Sequence, residues 1–239
     1  MRKLIEVGHD AVGIFRHRPN RFLTIVDIVE PHHQKDVPVH LHDPGRLREL
    51  LYPDNRVLLK KATNPNRKTK WDIIAAHDNH SWVFTHSGYH RGVAEAILWD
   101  PDISPIGSIE SLRAEVRSGH SQLDFVATRD NGSTVWIETK GCTLAVDGLA
   151  LFPDAPTERG TRHVRSLIEI RERGEEAAVI MLVFRNDAEL FMPNSEMDPA
   201  FAEAVGDAIQ AGVKLYPLLL DYRDGVIWYV RIIPYQLNN

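Results

Sequence analysis

Short apolar runs alternate with turn-forming residues over the first 86 positions, a pattern typical of β structure. Proline, asparagine and aspartate cluster between the runs, for example at residues 31–38 and 64–66. The runs themselves predict strands at residues 22–29, 56–61, 71–76 and 81–85. Several short strands in one small segment favour a barrel, and an OB-like β-barrel is the most natural candidate.

One helix is predicted between these strands. Asp43 has the side chain of a good N-cap, and Pro44 suits the first turn of a helix. Leu47, Leu50 and Leu51 follow at helical spacing. We therefore expect a helix that begins after Asp43 and includes the three leucines.

The apolar pattern changes after residue 88. It predicts helices at residues 93–99, 157–173 and 198–211, and strands at residues 114–116, 122–128, 134–144, 177–184, 214–221 and 226–233. Residues 177–184 are apolar on both faces, as expected of a buried central strand. This order of elements predicts an α/β sandwich after the barrel, and so a mixed α/β (α+β) protein with domains at residues 1–86 and 87–239.

Charge is unevenly distributed along the chain, whose net charge is −5. Residues 1–84 contain 14 Lys and Arg against 10 Asp and Glu, whereas the remainder contains 14 against 23. Local charge matters more than the total for attracting phosphate. The modestly basic N-terminal part is therefore a weak indication of nucleic-acid binding.

Membrane insertion and secretion are not predicted. The longest apolar run, residues 177–184, is far shorter than the roughly 20 residues that a membrane span needs. No signal peptide is visible, since the acidic Glu6 falls where an apolar segment should begin. The single cysteine, Cys142, excludes an internal disulfide and is expected to be a small buried strand residue. We expect a cytoplasmic protein without membrane contact.

The candidate chemistry lies in a hairpin predicted around Asp130-Asn131-Gly132. Asp124 is on its first strand, and Glu138-x-Lys140 is on its second, with both charged residues on one face. A two-residue turn would pair Asp124 with Thr139 and turn the aspartate away from Glu138. A three-residue loop with glycine in the left-handed position pairs Asp124 with Glu138 instead. We therefore predict the three-residue loop or a bulge.

An Asp on one strand and Glu-x-Lys on the next are typical of a large group of metal-dependent nucleases. Carboxylates hold Mg²⁺, which activates water, and a neighbouring lysine can orient that water or stabilise charge at phosphorus. The pattern predicts Asp124 and Glu138 as ligands of Mg²⁺ or Mn²⁺, Lys140 as their catalytic partner, and no organic cofactor. The alternative is a solvated sheet face on which Lys140 pairs with the acids across strands. The apolar residues at 123, 125–126 and 135–137 favour burial.

Four further residues each have two interpretations. Glu95, on the helix before these strands, and Glu115, on the first strand, are either auxiliary acids or ordinary surface residues. Arg159 and His163 lie one helical turn apart, so they either face phosphate together or occupy an exposed helix face. The sequence leaves both questions open.

Histidine is abundant, with 12 residues in the chain. Two short clusters, His32-His33 and His40-x-His42, bring histidines close together. No cysteine or acid stands beside them at zinc-type spacing, so the sequence does not favour metal binding there.

Five segments together resemble the sugar fermentation stimulation protein A (SfsA) family. They are residues 40–47 (HLHDPGRL), 64–70 (NPNRKTK), 121–125 (SQLDF), 138–140 (ETK) and 152–160 (FPDAPTERG), the last followed by His163. The resemblance implies an N-terminal OB-like domain, a C-terminal domain of the PD-(D/E)xK nuclease type, and a DNA-binding role described as regulating sugar (maltose) metabolism. Gln122 departs from the arginine usual in the family, while Lys140 is retained. Asp154 is interpreted as a turn or helix-cap residue, not as a metal ligand.

Contact with DNA is expected from basic residues of the N-terminal part. Cations and amide side chains on a loop beside a barrel suit phosphate contacts with little reading of sequence. The candidates are Arg46, Arg48, Lys60, Lys61, Arg67, Lys68 and Lys70. The alternative is a solvated basic loop. No recognition helix is identifiable, so we predict DNA binding of weak sequence specificity.

Three functional hypotheses remain open from the sequence. The first is a metal-dependent nuclease that hydrolyses phosphodiesters with Asp124, Glu138 and Lys140. The second is a DNA-binding regulator that keeps the nuclease fold without catalysis. The third is a protein-binding OB module joined to an inert acidic domain.

Overall fold

The computed structural model describes residues 1–79 and 81–237. The strands before the first helix are β1 (Arg2–Glu6), β2 (Ala11–Asn20), β3 (Leu23–Glu30), β4 (Gln34–His40), β5 (Arg56–Lys61), β6 (Trp71–Asp78) and β7 (Ser81–Phe84). The remaining elements are α1 (His90–Leu98), β8 (Ile109–Ser118), β9 (Ser121–Arg129), β10 (Thr134–Cys142), β11 (Ala145–Val146), β12 (Leu149–Phe152), α2 (Glu158–Glu172), β13 (Glu176–Val183), β14 (Leu190–Pro193), α3 (Pro199–Gln210), β15 (Lys214–Arg223) and β16 (Val226–Ile232).

The N-terminal part forms a closed five-stranded barrel. Strands β4, β3, β2, β5 and β6 are hydrogen-bonded neighbours in that order. A short parallel pairing of β4 with β6 joins the two ends and closes the barrel. Val26, Val39, Leu59 and Ile73 are fully buried in its interior. The OB-like barrel predicted from the strand pattern is confirmed.

The sequence missed three strands of this part for identifiable reasons. Strand β2 contains arginine, histidine and proline because its second half is largely exposed. Strand β4 overlaps residues 31–38, for which the sequence predicts turns, and its Pro38 pairs with Ile25 of β3. Strand β1 pairs with β16 from the far end of the chain, a contact that no local pattern indicates.

The helix predicted after Asp43 is wrong. The segment is an irregular loop with one turn, in which the amide of Leu51 donates to the carbonyl oxygen of Leu47 at 2.7 Å. Asp43 Oδ1 accepts instead from the amide of Gly45 at 2.7 Å, so it closes a local turn and caps no helix. The leucine spacing reflects burial, because Leu47, Leu50 and Leu51 all pack into the barrel core.

The C-terminal part is a twisted sheet covered on both faces. Strands β7, β15, β13, β10, β9 and β8 are neighbours in that order, and β10, β13 and β15 run parallel. Alternate residues of β13 enter different cores: Ile180 shares one with Ile97 of α1, whereas Met181 shares the other with Leu167 of α2 and Phe201 of α3. The predicted α/β sandwich with a buried central strand is confirmed. The division at residue 86 stays a prediction, and residues 238–239 of the second segment lie outside the described residues.

The two helices that cover the second face begin with linked caps. Thr157 Oγ1 accepts from the amide of Gly160 at 3.1 Å at the start of α2. Asp198 Oδ1 accepts from the amide of Phe201 at 3.0 Å at the start of α3, and its Oδ2 accepts from the amide of Thr157 at 2.8 Å. One aspartate therefore holds both helix starts together. Within residues 1–79 and 81–237, no helix is both long and apolar enough to span a membrane.

Candidate active site

The β9–β10 hairpin has the register that the site requires. Thr134 pairs with Thr128 and Ile137 pairs with Phe125, so the next position along sets Asp124 opposite Glu138. The amide of Arg129 donates to the carbonyl oxygen of Ser133 at 2.9 Å, which leaves residues 130–132 as a three-residue loop. Gly132 has φ +81°, a conformation that glycine adopts without steric cost. The predicted three-residue loop with a left-handed glycine is confirmed.

Asp124 is fixed by the strand that faces it. Its Oδ2 accepts two hydrogen bonds from Thr139, one from the amide at 2.7 Å and one from the hydroxyl at 2.6 Å. The backbone pairing between β9 and β10 ends one residue before Asp124 and Glu138, at Phe125 and Ile137. The Asp124 carboxylate therefore accepts the hydrogen bond that a backbone carbonyl oxygen of β9 would otherwise accept from the Thr139 amide. The backbone of β10 thus sets the position of the carboxylate.

Glu138 is buried, with only 1% of its side chain exposed. Its Oε1 accepts from Lys140 Nζ and from His163 Nδ1, the latter at 2.5 Å. Burial acts to raise the pKa of Glu138, but the His163 hydrogen bond and the Lys140 charge outweigh it and hold the pKa below its usual value. Its Oε2 is buried and has no hydrogen-bond partner among the described residues. Glu138 is thus a fixed, ionised carboxylate with one oxygen unused.

His163 lies behind Glu138, on the buried side of α2. Only 5% of its side chain is exposed, so the exposed-face interpretation is wrong for this residue, and the geometry does not favour its direct contact with phosphate. Its Nδ1–H donates to Glu138 while its Nε2 accepts from Arg159 Nε at 3.4 Å, and one neutral tautomer satisfies both contacts. Arg159 itself is exposed and lines the cleft beside the acids.

A cleft of about 760 Å³ opens above these groups. Asp124, Lys140 and Arg159 line it on the side of the sandwich, and Arg21 and residues 43–45 line it on the side of the barrel. Parts of four segments that carry the family resemblance, at 40–47, 121–125, 138–140 and 152–160, therefore meet in one cavity. Substrate held there would contact both halves of the chain.

Two acids from the resemblance segments meet where the barrel joins this cleft. Asp154 lies in a bend before α2, and its Oδ2 accepts from the amide of Leu47 at 3.2 Å. The N-cap of α2 is Thr157, so of the two predicted roles of Asp154, turn or helix cap, the helix cap is wrong. Burial raises the pKa of Asp43 to about 6 against the effect of its Gly45 hydrogen bond, and the charge of Asp154 adds to the increase. Asp154 therefore connects the barrel loop to the sandwich.

The sequence did not identify two residues that line the cleft, Arg21 and His90. Arg21 lies at the turn between β2 and β3, and only the fold brings it to the cleft. His90 begins α1 and packs against Gly141 of β10, with a buried Nε2 that has no hydrogen-bond partner among the described residues. Burial lowers the pKa of His90 to about 4. No local pattern marks either residue, because their neighbours in the cleft are distant in sequence.

The two auxiliary acids share a partner but differ in their position relative to the cleft. Arg91 pairs with Glu95 at 2.9 Å and with Glu115 at 3.1 Å. Glu115 lines the rim of the cleft, where Gln122 Nε2 donates to its carbonyl oxygen at 3.3 Å, whereas Glu95 is not among the lining residues. Their participation stays a prediction, with Glu115 the better placed.

The basic residues proposed to contact DNA lie outside the cleft lining, and several have local partners. Lys60 Nζ donates to the carbonyl oxygen of Gly8 at 3.1 Å, and Lys70 donates to that of Pro65. Lys61 lies over the ring of Trp71, and Arg67 forms two bonds to Asp72. The exposed candidates are Arg46, Arg48, Lys61, Lys68 and Lys70. DNA contact by this set stays a prediction.

Cys142 ends β10 close to the site but takes no part in its chemistry. It is 1% exposed, as the sequence predicts for a small buried strand residue. Burial raises the pKa of its thiol to about 12, so the thiol stays protonated at neutral pH and is not a nucleophile.

An OB barrel followed by a restriction-endonuclease-like domain defines the class of this protein. The N-terminal OB domain description of SfsA matches residues 17–85, and the description "Sugar fermentation stimulation protein RE domain" matches residues 88–225. The chain belongs to the sugar fermentation stimulation protein (SfsA) family.

Relatives cover the whole length of the chain. It is 42% identical to a sugar fermentation stimulation protein homolog of Methanococcoides burtonii, over 97% of this chain and 94% of that protein. It is 41% identical to a homolog of Thermosipho melanesiensis, over 98% and 97%. A solved structure of Pyrococcus furiosus SfsA in complex with Ca²⁺ is similar with a TM-score of 0.86 at 25% identity, covering 99% of this chain and all of that one.

Proposed function

We propose that this protein is a divalent-metal-dependent nuclease that hydrolyses DNA phosphodiesters. The observation that carries the proposal is the position of Asp124 opposite Glu138, whose buried Oε2 has no hydrogen-bond partner among the described residues. Asp124 lines the cleft, as does Lys140, which pairs with Glu138. The Ca²⁺ bound by the Pyrococcus relative supports a divalent-ion site in this fold.

The residues present fit a hard divalent cation. An ionised carboxylate with an oxygen lacking any hydrogen-bond partner is the donor that Mg²⁺ or Mn²⁺ prefers, and Asp124 supplies a second carboxylate one strand away. Such an ion, when bound, lowers the pKa of coordinated water and neutralises charge on the phosphate. Asp124 and Glu138 would hold it, and we propose no further protein ligand.

Lys140 and His163 do different work in this arrangement. The Lys140 ammonium lines the cleft on the same face as Glu138, where it can orient a water molecule and stabilise negative charge that develops on phosphorus oxygens. His163 does not reach the cleft lining and acts through Glu138, whose carboxylate it holds in one orientation. We therefore assign Lys140 to the reaction and His163 to positioning.

DNA is the proposed substrate because cations from both halves of the chain line the cleft. Arg21 from the barrel and Arg159 from α2 both line it. Arg46, Arg48 and Lys68 are exposed cations of the barrel half that would extend the contact to neighbouring phosphates. Contacts of this kind bind phosphate without reading bases, so weak sequence specificity is expected.

Removal of divalent ions tests the proposal directly. Protein stripped with a chelator is expected to leave single- and double-stranded DNA intact, and addition of Mn²⁺ or Mg²⁺ should restore cleavage because both carboxylates then hold an ion. The measurement is the length of labelled DNA and RNA on denaturing gels. Absence of cleavage under every ion and substrate would reject the nuclease assignment.

Arg159→Gln is expected to weaken DNA binding without changing the fold. Loss of one phosphate contact should reduce the slope of log affinity against log salt by about one, uniformly across DNA sequences. Fluorescence anisotropy at several salt concentrations, in Ca²⁺ so that no cleavage is expected, measures both quantities. The matched control is Arg173→Gln at the other end of α2. An equal loss of DNA affinity in both variants would show that Arg159 has no specific role in binding DNA.

A second candidate is a DNA-binding regulator of sugar (maltose) metabolism that keeps the fold without catalysis. One observation favours it: the charge of Lys140 compensates that of Glu138, and His163 bonds the same carboxylate oxygen. This candidate would be supported over the nuclease by DNA binding that weakens as salt is raised, combined with no DNA cleavage either with or without divalent ions.

A further inference from the structure

A second group of metal-ligating side chains lies where the barrel meets the sandwich. His42 follows β4, Asp72 lies in β6, and His86 precedes α1, between the two matched family segments. One ligand atom from each lies within 4.8 Å of those of the other two. Asp72 and His86 are buried, and His42 is partly buried. None of the three is among the residues that line the cleft.

Two ring nitrogens of this group have nothing to bond. His42 Nε2 and His86 Nδ1 are buried and form no hydrogen bond with any residue that the structure describes. Buried polar atoms are normally paired, so two unpaired nitrogens in one place indicate a ligand or an ion. Each of these nitrogens can donate a lone pair to an ion when its ring is neutral.

The carboxylate of the group is ionised and held in place. Burial acts to raise the pKa of Asp72, but the neighbouring His42 ring and the Arg67 guanidinium outweigh it and hold the pKa below its usual value. Arg67 binds both oxygens of Asp72, at 2.6 and 2.9 Å. Metal-ligating carboxylates are commonly oriented by such an outer hydrogen-bond partner.

We propose that His42, Asp72 and His86 bind one first-row transition-metal ion of the Zn²⁺ type. Two imidazoles and a carboxylate suit Zn²⁺ better than Mg²⁺ or Ca²⁺, which prefer oxygen alone. Atoms bound to one tetrahedral Zn²⁺ lie about 3.3 Å apart, and His42 Nε2 is 3.3 Å from Asp72 Oδ1. The rings of His42 and His86 stack with centroids 3.7 Å apart, so one ring turns on binding to direct its lone pair at the ion.

This site joins three segments that are far apart in sequence. The loop after β4 and strand β6 belong to the barrel, whereas His86 leads into the first helix of the sandwich. Ser87 Oγ already donates to the carbonyl oxygen of His42 at 2.7 Å, so the two segments are in contact at this point. The bound ion fixes the barrel against the sandwich and so sets the separation of the cleft walls. The assignment does not depend on the proposed nuclease activity.

Zinc binding to the chelator-stripped, full-length protein tests this site. The measurements are titration calorimetry with Zn²⁺, Co²⁺ absorption as a report of tetrahedral nitrogen and oxygen ligands, and the melting temperature with and without Zn²⁺. The parent and every variant in this experiment carry Asp124→Asn, which weakens ion binding at Asp124 and Glu138 in all of them. The measured Zn²⁺ binding is then attributed to the histidine and aspartate group. The parent is expected to bind one equivalent of Zn²⁺ and to melt at a higher temperature when Zn²⁺ is present.

His86→Asn and His42→Asn should each weaken Zn²⁺ binding by at least about tenfold and abolish the rise in melting temperature. His33→Asn, at an exposed histidine, is the matched control and should behave like the parent. Circular dichroism identifies any variant that fails to fold. If one of the two histidine variants fails to fold, Zn²⁺ binding by the other one tests the site. Unchanged Zn²⁺ binding in both histidine variants, or no binding to the stripped parent, overturns the site.

Discussion

Asp124→Asn is expected to lower metal-dependent DNA cleavage by roughly 10²–10³-fold or more, without loss of the fold. Asparagine has the size of aspartate and its side-chain oxygen can still accept from the amide of Thr139, so the hairpin keeps its local bond. The variant removes only the negative charge that a divalent ion needs. Initial cleavage rates over a range of Mn²⁺ concentrations measure the loss, and isothermal titration measures the accompanying weakening of ion binding.

Asp130→Asn is the matched control for this variant. It makes the same change of charge in the loop of the same hairpin, where the side chain is exposed. Its cleavage rate should equal that of the parent protein. Cleavage that survives in Asp124→Asn would show that the activity belongs to a contaminant or to another site.

Lys140→Met separates ion binding from the reaction. Methionine keeps much of the length of lysine without its charge, so the ion should still bind through Asp124 and Glu138 while cleavage falls. Far-ultraviolet circular dichroism is needed alongside, because Glu138 then keeps only His163 as a partner. Full cleavage by this variant would remove Lys140 from the mechanism.

The core of the candidate site could be predicted because its determinants are local. Asp124, Glu138 and Lys140 lie within one hairpin, and the loop length alone fixes which residues face each other. His163 is different: it is 25 residues from Glu138, and whether α2 turns it inward or outward depends on how the helix packs on the sheet. Sequence placed it on the correct helix and left its direction open.

The elements that sequence failed to predict depend on distant contacts. Leu47, Leu50 and Leu51 have helical spacing, yet they lie in a loop whose apolar side chains pack into the barrel core. The spacing of apolar residues indicates which side chains are buried, and a buried loop can produce the same spacing as a helix. Strand β1 finds its partner β16 more than two hundred residues away. The histidine and aspartate group is equally non-local, with ligands at positions 42, 72 and 86. Sequence motifs for zinc binding have pairs of ligands only a few residues apart, so they do not identify a group whose ligands are this widely separated.

Gly141→Ala is expected to destabilise the protein by about 1–3 kcal/mol, the cost of forcing an extra methyl group into a packed interior. A Cβ at this position would lie 2.8 Å from His90 Nδ1 and closer still to its Cε1. The His90 ring cannot swing aside freely, since it is partly buried and stacks on Phe184 with centroids 5.0 Å apart. Either β10 or α1 must shift, and both carry residues that line the cleft. Urea denaturation followed by circular dichroism measures the free energy of unfolding.

Gly206→Ala is the matched control for the same change. Gly206 lies in α3 with nothing within 4 Å of an added Cβ, so alanine should stabilise this helix by about 0.5–1 kcal/mol. His90→Ala, combined with Gly141→Ala, should restore part of the lost stability relative to the sum of the single variants, because the clash has been removed. Additive losses in that double variant would show that Gly141 is needed for a reason other than room for His90. A double variant that loses less stability than the sum of the two single variants would show that Gly141, next to Lys140, is needed to leave room for the His90 ring in the cleft wall.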